Sequence, residues 1–129
     1  PFGGPCFPRD LRFANNLTSQ DSSVRAFLNG IKRVNNDGIL SIVKQIGDNH
    51  KVVGLLGMTY KPGVPILEES PSLDVARILE WEHKVLSYDP LIGGNVTLEE
   101  CIARADILIE MHPNLVPKDV EKPVIRVWS

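Results

Sequence analysis

The 129-residue chain is 43% apolar and 23% charged, a balance that can bury a core while keeping a hydrated surface. Lys and Arg number 14 against 16 Asp and Glu, a net charge of −2, which excludes a nucleic-acid binder held by bulk charge. No apolar run approaches the roughly 18 residues of a membrane span, and the length bounds the chain to one domain with room for an appended helix.

Residues 1–23 read as an irregular leader punctuated by Pro1, Gly3, Gly4, Pro5 and Pro8. From Val24 to Ile46 the apolar residues Val24, Phe27, Leu28, Ile31, Val34, Ile39, Ile42, Val43 and Ile46 recur at spacings of mostly three and four, one face of a long helix. Asp21, Ser22 or Ser23 would cap it, Gly47 lies near its end, and Gly38 inside it marks a candidate bend or change of helix. Val52 to Met58 reads as a strand buried on both faces. Ser70-Pro71 opens a helix, with Leu73, Ala76 and Leu79 facing inward, that ends near Glu82. Lys84 to Tyr88 is a second strand, closed by Asp89-Pro90. Thr97-Leu98-Glu99-Glu100 is a capping box opening a helix to about Ala103. Ile107-Leu108-Ile109 and Val124 to Val127 complete the strands. Strand–helix alternation with continuously apolar strands predicts an α/β fold: a small doubly wound, Rossmann-like parallel sheet with helices on both faces, preceded by a long helix. The segments are 1–23, 24–50 and 51–129.

Ligands of such a sheet settle beyond the carboxyl ends of the strands, here Gly57 to Lys61, Tyr88-Asp89-Pro90 and Glu110-Met111-His112. Gly54-x-x-Gly57 lacks the third glycine of a dinucleotide fingerprint. Lys61 reads either as a phosphate partner or as a solvated lysine. Asp89 reads either as a ribose contact or as turn chemistry before Pro90, and His112 as a loop residue rather than a ligand. Cys6 follows two glycines that let backbone approach a ligand, with Arg9 supplying positive charge and Asp10 a carboxylate nearby; it is either a nucleophile or an inert loop residue. Cys101, among apolar neighbours, reads as core packing, as do Trp81 and Trp128. Two cysteines 95 positions apart, with no CxxC and no leader pattern, predict a reducing, cytoplasmic setting and no metal site.

Phe2-Gly3-Gly4-Pro5-Cys6-Phe7-Pro8-Arg9-Asp10 resembles the catalytic-cysteine loop F-G-G-x-C-F-x-K-D of the UDP-glucose/GDP-mannose dehydrogenase family. Val53 to Pro62, then Glu69-Ser70-Pro71-Ser72-Leu73 and Tyr88-Asp89-Pro90, resemble the opening of that family's C-terminal domain, and Val34-Asn35 suits the helix between. The resemblance covers essentially the whole chain. It implies oxidation of a nucleotide sugar's C6 hydroxyl to a carboxylate in two NAD-dependent steps, with Cys6 capturing the aldehyde as a thiohemiacetal that becomes a thioester. Asp10 would handle the water or a proton, Arg9 would stand near the NAD pyrophosphate, and Phe2, Gly3, Tyr60 and Lys61 would contact the nucleotide sugar, with a UDP-sugar favoured. A homodimer through the helix at 24–50 is implied as well.

Two departures stand out. Glu68 occupies the place where many members carry an Arg at the cofactor phosphates, and Val64, Pro65 and Ile66 replace three polar residues. The family's N-terminal NAD-binding domain, with its G-x-G-x-x-G turn, is not represented in these residues, so NAD would be bound mainly elsewhere. The chain is expected to correspond to the last third of such an enzyme and to be inactive by itself. A non-catalytic nucleotide-sugar-binding or oligomerisation module is the alternative; an unrelated flavodoxin-like domain would leave the Gly-Gly-x-Cys leader without a purpose.

Overall fold

The computed structural model describes residues 1–127. Among these, four strands pair in parallel: β1 (Val52–Leu56), β2 (Lys84–Tyr88), β3 (Ile107–Glu110) and β4 (Val124–Arg126), in the order β2-β1-β3-β4. Gly54 lies between Leu86 and Leu108 in register, so alternate residues of β1 send side chains to opposite faces. Four helices accompany the sheet: α1 (Phe7–Leu17), α2 (Ser23–Lys44), α3 (Pro71–Leu79) and α4 (Leu98–Arg104).

The doubly wound expectation holds. On one face Val53, Leu55, Ile107 and Ile109 pack with Ile39, Ile42 and Ile46 at the α2 end and Val75, Ala76 and Leu79 of α3. On the other, Leu56, Leu86 and Leu108 pack with Cys101 and Ala105 at α4 and with Val116. Each fully buried Leu or Ile contributes about 1.5–3 kcal/mol of transfer free energy, so these two layers supply most of the drive to fold. α4 lies close because Gly54 has no side chain. A Cβ there would come within 2.6 Å of Leu108 Cδ2 and 2.9 Å of Cys101 Sγ.

The helix ends follow the local chemistry. Ser22, of the three candidates, caps α2 by accepting from the Arg25 amide, and Ser70 caps α3 with Pro71 in its first turn. Thr97 and Glu100 complete a reciprocal capping box on α4. At the other end of α4, the Lys122 ammonium donates to the carbonyls of Ile102, Ala103 and Ala105 at 2.6, 2.8 and 2.6 Å, meeting acceptors the helix leaves open.

Three expectations are corrected. Residues 7–17 form a helix, not loop: Pro8 sits in its first turn, where a missing N–H costs nothing, Asp10 complements its N-terminus, and Leu11 is buried. Gly38 neither ends nor changes the helix, since α2 runs unbroken from Ser23 to Lys44. Trp81 is not packed; it lies past the end of α3 and is 86% exposed. Trp128 falls outside the described residues.

Candidate functional site

The chain leaves β1 toward β2 on one side and reaches β3 on the other, so the topological switch point lies between the carboxyl ends of β1 and β3. That crevice is filled from within. His112, buried beyond β3, packs its ring against Gly57, where a Cβ would approach His112 Cγ to 2.5 Å, and Gly57 holds φ +92°. His112 Nε2 lies 2.8 Å from the Thr59 carbonyl, which can only accept, so Nε2 carries the proton.

Asp89, 1% exposed at the end of β2, organises the same turn. Its Oδ2 accepts from the Met58 amide at 2.7 Å and the Thr59 amide at 3.1 Å, and its Oδ1 from the Leu91 amide at 2.9 Å. The Thr59 hydroxyl stands 3.2 Å from both Asp89 Oδ2 and the Lys61 carbonyl. Burial alone pushes the Asp89 carboxyl up, but donation from the Leu91, Thr59 and Met58 amides and the Thr59 hydroxyl to its charged form outweighs this and holds it below the ordinary carboxylate value. Of the two readings of Asp89, the turn chemistry is the one realised: its oxygens are occupied by the protein. Ser70 adds a further tie, donating to the Met58 carbonyl at 2.8 Å. Glu110 at the end of β3 serves the neighbouring loop, accepting from the Leu115 and Val116 amides and pairing with Arg126.

With the crevice closed, the feature presented at this end of the sheet is the β1–α3 loop and what rests on it. The glycine pair of the leader rests there. The Gly4 amide donates to the Glu69 carbonyl at 3.2 Å. A Cβ on Gly3 would stand 2.0 Å from that carbonyl oxygen, and a Cβ on Gly4, whose φ is +89°, would strike the Tyr60 ring at 2.5 Å. Glycine is required at both positions by close approach, and at the second by the backbone as well. Glu69 itself adopts φ +52°, uncommon for a residue with a side chain. Its carboxylate pairs with Arg12 of α1 at 2.6 Å.

Cys6 is exposed and forms the N-cap of α1, its carbonyl accepting from the Asp10 amide at 2.9 Å. One turn on, Arg9 and Asp10 pair with each other at 2.9–3.0 Å on the exposed side of the helix. The hydrogen bond and charge of Asp10, with Cys6 and Glu68 adding, hold the Arg9 guanidinium above its ordinary value. Lys61 is exposed, its ammonium 5.4 Å from the centroid of the Tyr60 ring. Phe2 meets Phe7 edge to face at 4.6 Å between centroids.

Gly4, two residues before Cys6, thus rests on the Tyr60 ring, although 56 positions separate the two in sequence. Arg9 and Asp10 lie on the adjoining helix and are engaged with one another. Cys101 is fully buried on α4, as its apolar neighbours imply. Sequence reading named Glu69 within a motif without giving it a role, and missed Arg12. It also missed α1, whose signal was the spacing of Phe7, Leu11 and Ala14. Among the described residues, no group of three His, Cys, Asp or Glu is placed to hold a metal ion, and no helix is long and apolar enough to cross a membrane.

No protein-family model matches the chain. Among curated proteins, it is 27% identical over 126 residues to UDP-glucose 6-dehydrogenase YwqF of Bacillus subtilis, covering 84% of this chain and 29% of that protein. It is 31% identical over 97 residues to the UDP-glucose 6-dehydrogenase of Rickettsia felis, covering 70% of this chain and 22% of that protein. Among solved structures, a ternary complex of GDP-mannose dehydrogenase from Pseudomonas aeruginosa matches 98% of this chain and 36% of its own at a TM-score of 0.83 and 25% identity. The chain spans less than a third of the length of the two curated relatives, and what it matches is a C-terminal portion.

Proposed function

We propose that this chain, by sequence and fold a relative of the UDP-glucose/GDP-mannose dehydrogenases, acts as the cysteine-bearing, nucleotide-sugar-binding C-terminal part of a nucleotide-sugar 6-dehydrogenase. The observation that supports the reading is the docking of Gly3-Gly4, just before the exposed Cys6, onto Tyr60 and the Glu69 carbonyl. In this reading Lys61 meets the charge of the diphosphate, Tyr60 flanks it, and Phe2 and Gly3 border the sugar. The Cys6 sulfur adds to the C6 aldehyde carbon, forming a C–S bond as the carbonyl oxygen takes up a proton. After oxidation of that adduct to a thioester, water attacks the acyl carbon, Asp10 takes the water's proton, and the thiolate leaves. Arg9, paired with Asp10 at 2.9 Å, would orient that carboxylate.

The oxidation itself calls for a nicotinamide acceptor. The residues of this chain do not fit a resident dinucleotide: His112 fills the switch-point crevice, Asp89 occupies the Met58 and Thr59 amides that would face a pyrophosphate, and Arg9 is neutralised by Asp10. NAD binding would therefore rest mainly on residues outside this chain, and capture and hydrolysis are the steps assigned to it.

α2 bears a stripe of exposed apolar side chains, with Phe27 68% and Val34 73% exposed. Phe27, Ile31 and Val34 line an open hollow of about 790 Å³ with Phe2. Such a surface supports pairing of two copies along α2. Two free thiols suit a reducing, cytoplasmic setting. The second reading, a binding module without chemistry, is favoured by Glu68, which stands where the resemblance places an Arg and whose charge bears on Arg9.

The test is an NMR titration of the chain with UDP-glucose, GDP-mannose and NAD. One nucleotide sugar is expected to shift Tyr60, Lys61, Gly3 and Gly4 saturably while NAD leaves them in place. The absence of any shift there with either sugar nucleotide, or equal shifts with NAD, would overturn the proposal.

A further inference from the structure

Residues 2 to 7 close on themselves. Phe2 starts the segment, Phe7 ends it, and their rings meet edge to face at 4.6 Å, with Cys6 held between as the N-cap of α1. Whatever fixes Phe2 therefore fixes the near end of the turn that presents the thiol. The Phe2 backbone is held from α2 by a single side chain. Its amide donates to Asn35 Oδ1 at 2.6 Å, and Asn35 Nδ2 donates back to its carbonyl at 3.1 Å. This two-point pairing imitates one rung of a β-ladder, because a carboxamide carries its acceptor and its donor on two atoms of one planar group, as a peptide does. Both bonds are partly buried, so neither is readily replaced by water. The α2 surface is shaped for this approach: Pro1 passes over Gly38, one turn further along, with its side chain 3.8 Å from where a Cβ would stand.

Beyond the clamp, the segment has two further attachments: the Gly4 amide on the Glu69 carbonyl and the Gly4 backbone on the Tyr60 ring. Those attach the turn to the sheet; Asn35 attaches it to the long helix. We propose that Asn35 is the positioning residue of the cysteine turn, acting through the Phe2 backbone to hold the turn that presents Cys6. The proposal deepens the functional reading above and rests on it for the role of Cys6. The clamp itself does not depend on that reading.

The test compares Asn35→Ala, Asn35→Asp and Asn35→Gln by amide hydrogen exchange and by the rate of Cys6 alkylation with iodoacetamide. Asn35→Ala is expected to raise exchange of the Gly4 amide by about tenfold or more while β1 amides such as Leu55 keep their protection. Asn35→Asp, although isosteric, sets a carboxylate oxygen against the Phe2 carbonyl and should be no better than Ala at neutral pH. Asn35→Gln retains both groups one methylene further out and should restore part of the protection. Cys6 alkylation should change several-fold in Asn35→Ala and Asn35→Asp, with Cys101 unaffected. Unchanged Gly4 exchange in Asn35→Ala, or full protection in Asn35→Asp, overturns the proposal. Global loss of β1 protection in every variant overturns it too, because Asn35 would then be serving the fold rather than the turn. The functional reading fails separately: in the wild-type chain, Cys6 reacting no faster than in the same chain unfolded in urea would remove the nucleophile while leaving the clamp intact.

Discussion

Replacing Asp89 by Ala tests the account of how the β1–α3 loop is held. The substitution leaves the amides of Met58, Thr59 and Leu91 and the Thr59 hydroxyl without their acceptor. Leu91 is half exposed, so its amide regains water, and the hydroxyl turns to the Lys61 carbonyl 3.2 Å away. Met58 and Thr59 are buried and have no such recourse. Two stranded donors at about 1–3 kcal/mol each, plus the vacated space, give a loss of about 3–5 kcal/mol. At about 3–4 °C per kcal/mol for a chain of this size, the melting temperature falls by about 10–20 °C. Asp89→Asn keeps one oxygen toward Met58 and Thr59 but turns an amine toward the Leu91 amide, and should cost only about 1–2 kcal/mol. Because the Asp89 carboxyl is held below its ordinary value in the folded chain, its contribution is complete above the unfolded carboxyl value of about 4 and is lost as pH falls through the lowered folded value. The gap between wild type and Asp89→Asn should therefore narrow in acid, not widen. Urea denaturation followed by circular dichroism at pH 7, repeated at descending pH, reads all three values. An Ala variant within 1 kcal/mol of wild type, or an Asn variant as unstable as Ala, would refute the reasoning.

Iodoacetamide at pH 7.5 should label Cys6 and spare Cys101, which is fully buried and whose thiol burial pushes up to about 11; peptide mass spectrometry showing equal labelling would contradict this. Gly54→Ala should destabilise by about 1–3 kcal/mol through the contacts at Leu108 and Cys101, whereas Gly30→Ala, with open space around its Cβ and a helical backbone, should stabilise by up to about 1 kcal/mol, both read as thermal shifts. Lys61→Ala should leave the melting temperature in place, since the ammonium is exposed and lies 5.4 Å from the Tyr60 ring, and on the proposed function should lower affinity for a nucleotide sugar about tenfold or more by calorimetry. Val34→Glu, at the most exposed point of the apolar stripe on α2, should shift sedimentation from dimer to monomer; a wild-type chain that is already monomeric at high concentration removes the dimer proposal.

Much of the fold is local chemistry and was legible as such. Ser22, Ser70-Pro71 and Thr97 with Glu100 announce three helix starts, and continuous apolar runs at 52–58, 84–88 and 107–109 announce buried parallel strands, because caps and hydrophobic runs act within a few residues of themselves. The leader misled for the same reason: its glycines and prolines look like loop, yet Pro8 is harmless once it falls in the first turn of a helix. The candidate site was legible only as separate parts. Cys6, Tyr60 and Lys61 could be singled out in sequence, but the docking of the cysteine turn depends on a carbonyl at Glu69 that needs φ +52°, a glycine pair able to lie against it and against Tyr60, and a carboxamide on α2. His112 and Asp89 show the converse. In sequence they stand at strand ends, where ligands bind, and in the folded chain they face inward and saturate each other's neighbours. Composition, caps and periodicity act over one or two turns of chain and so belong to the sequence alone. Which polar group faces a ligand and which satisfies a buried amide depends on partners 30 to 60 positions away, and only the packed structure supplies those.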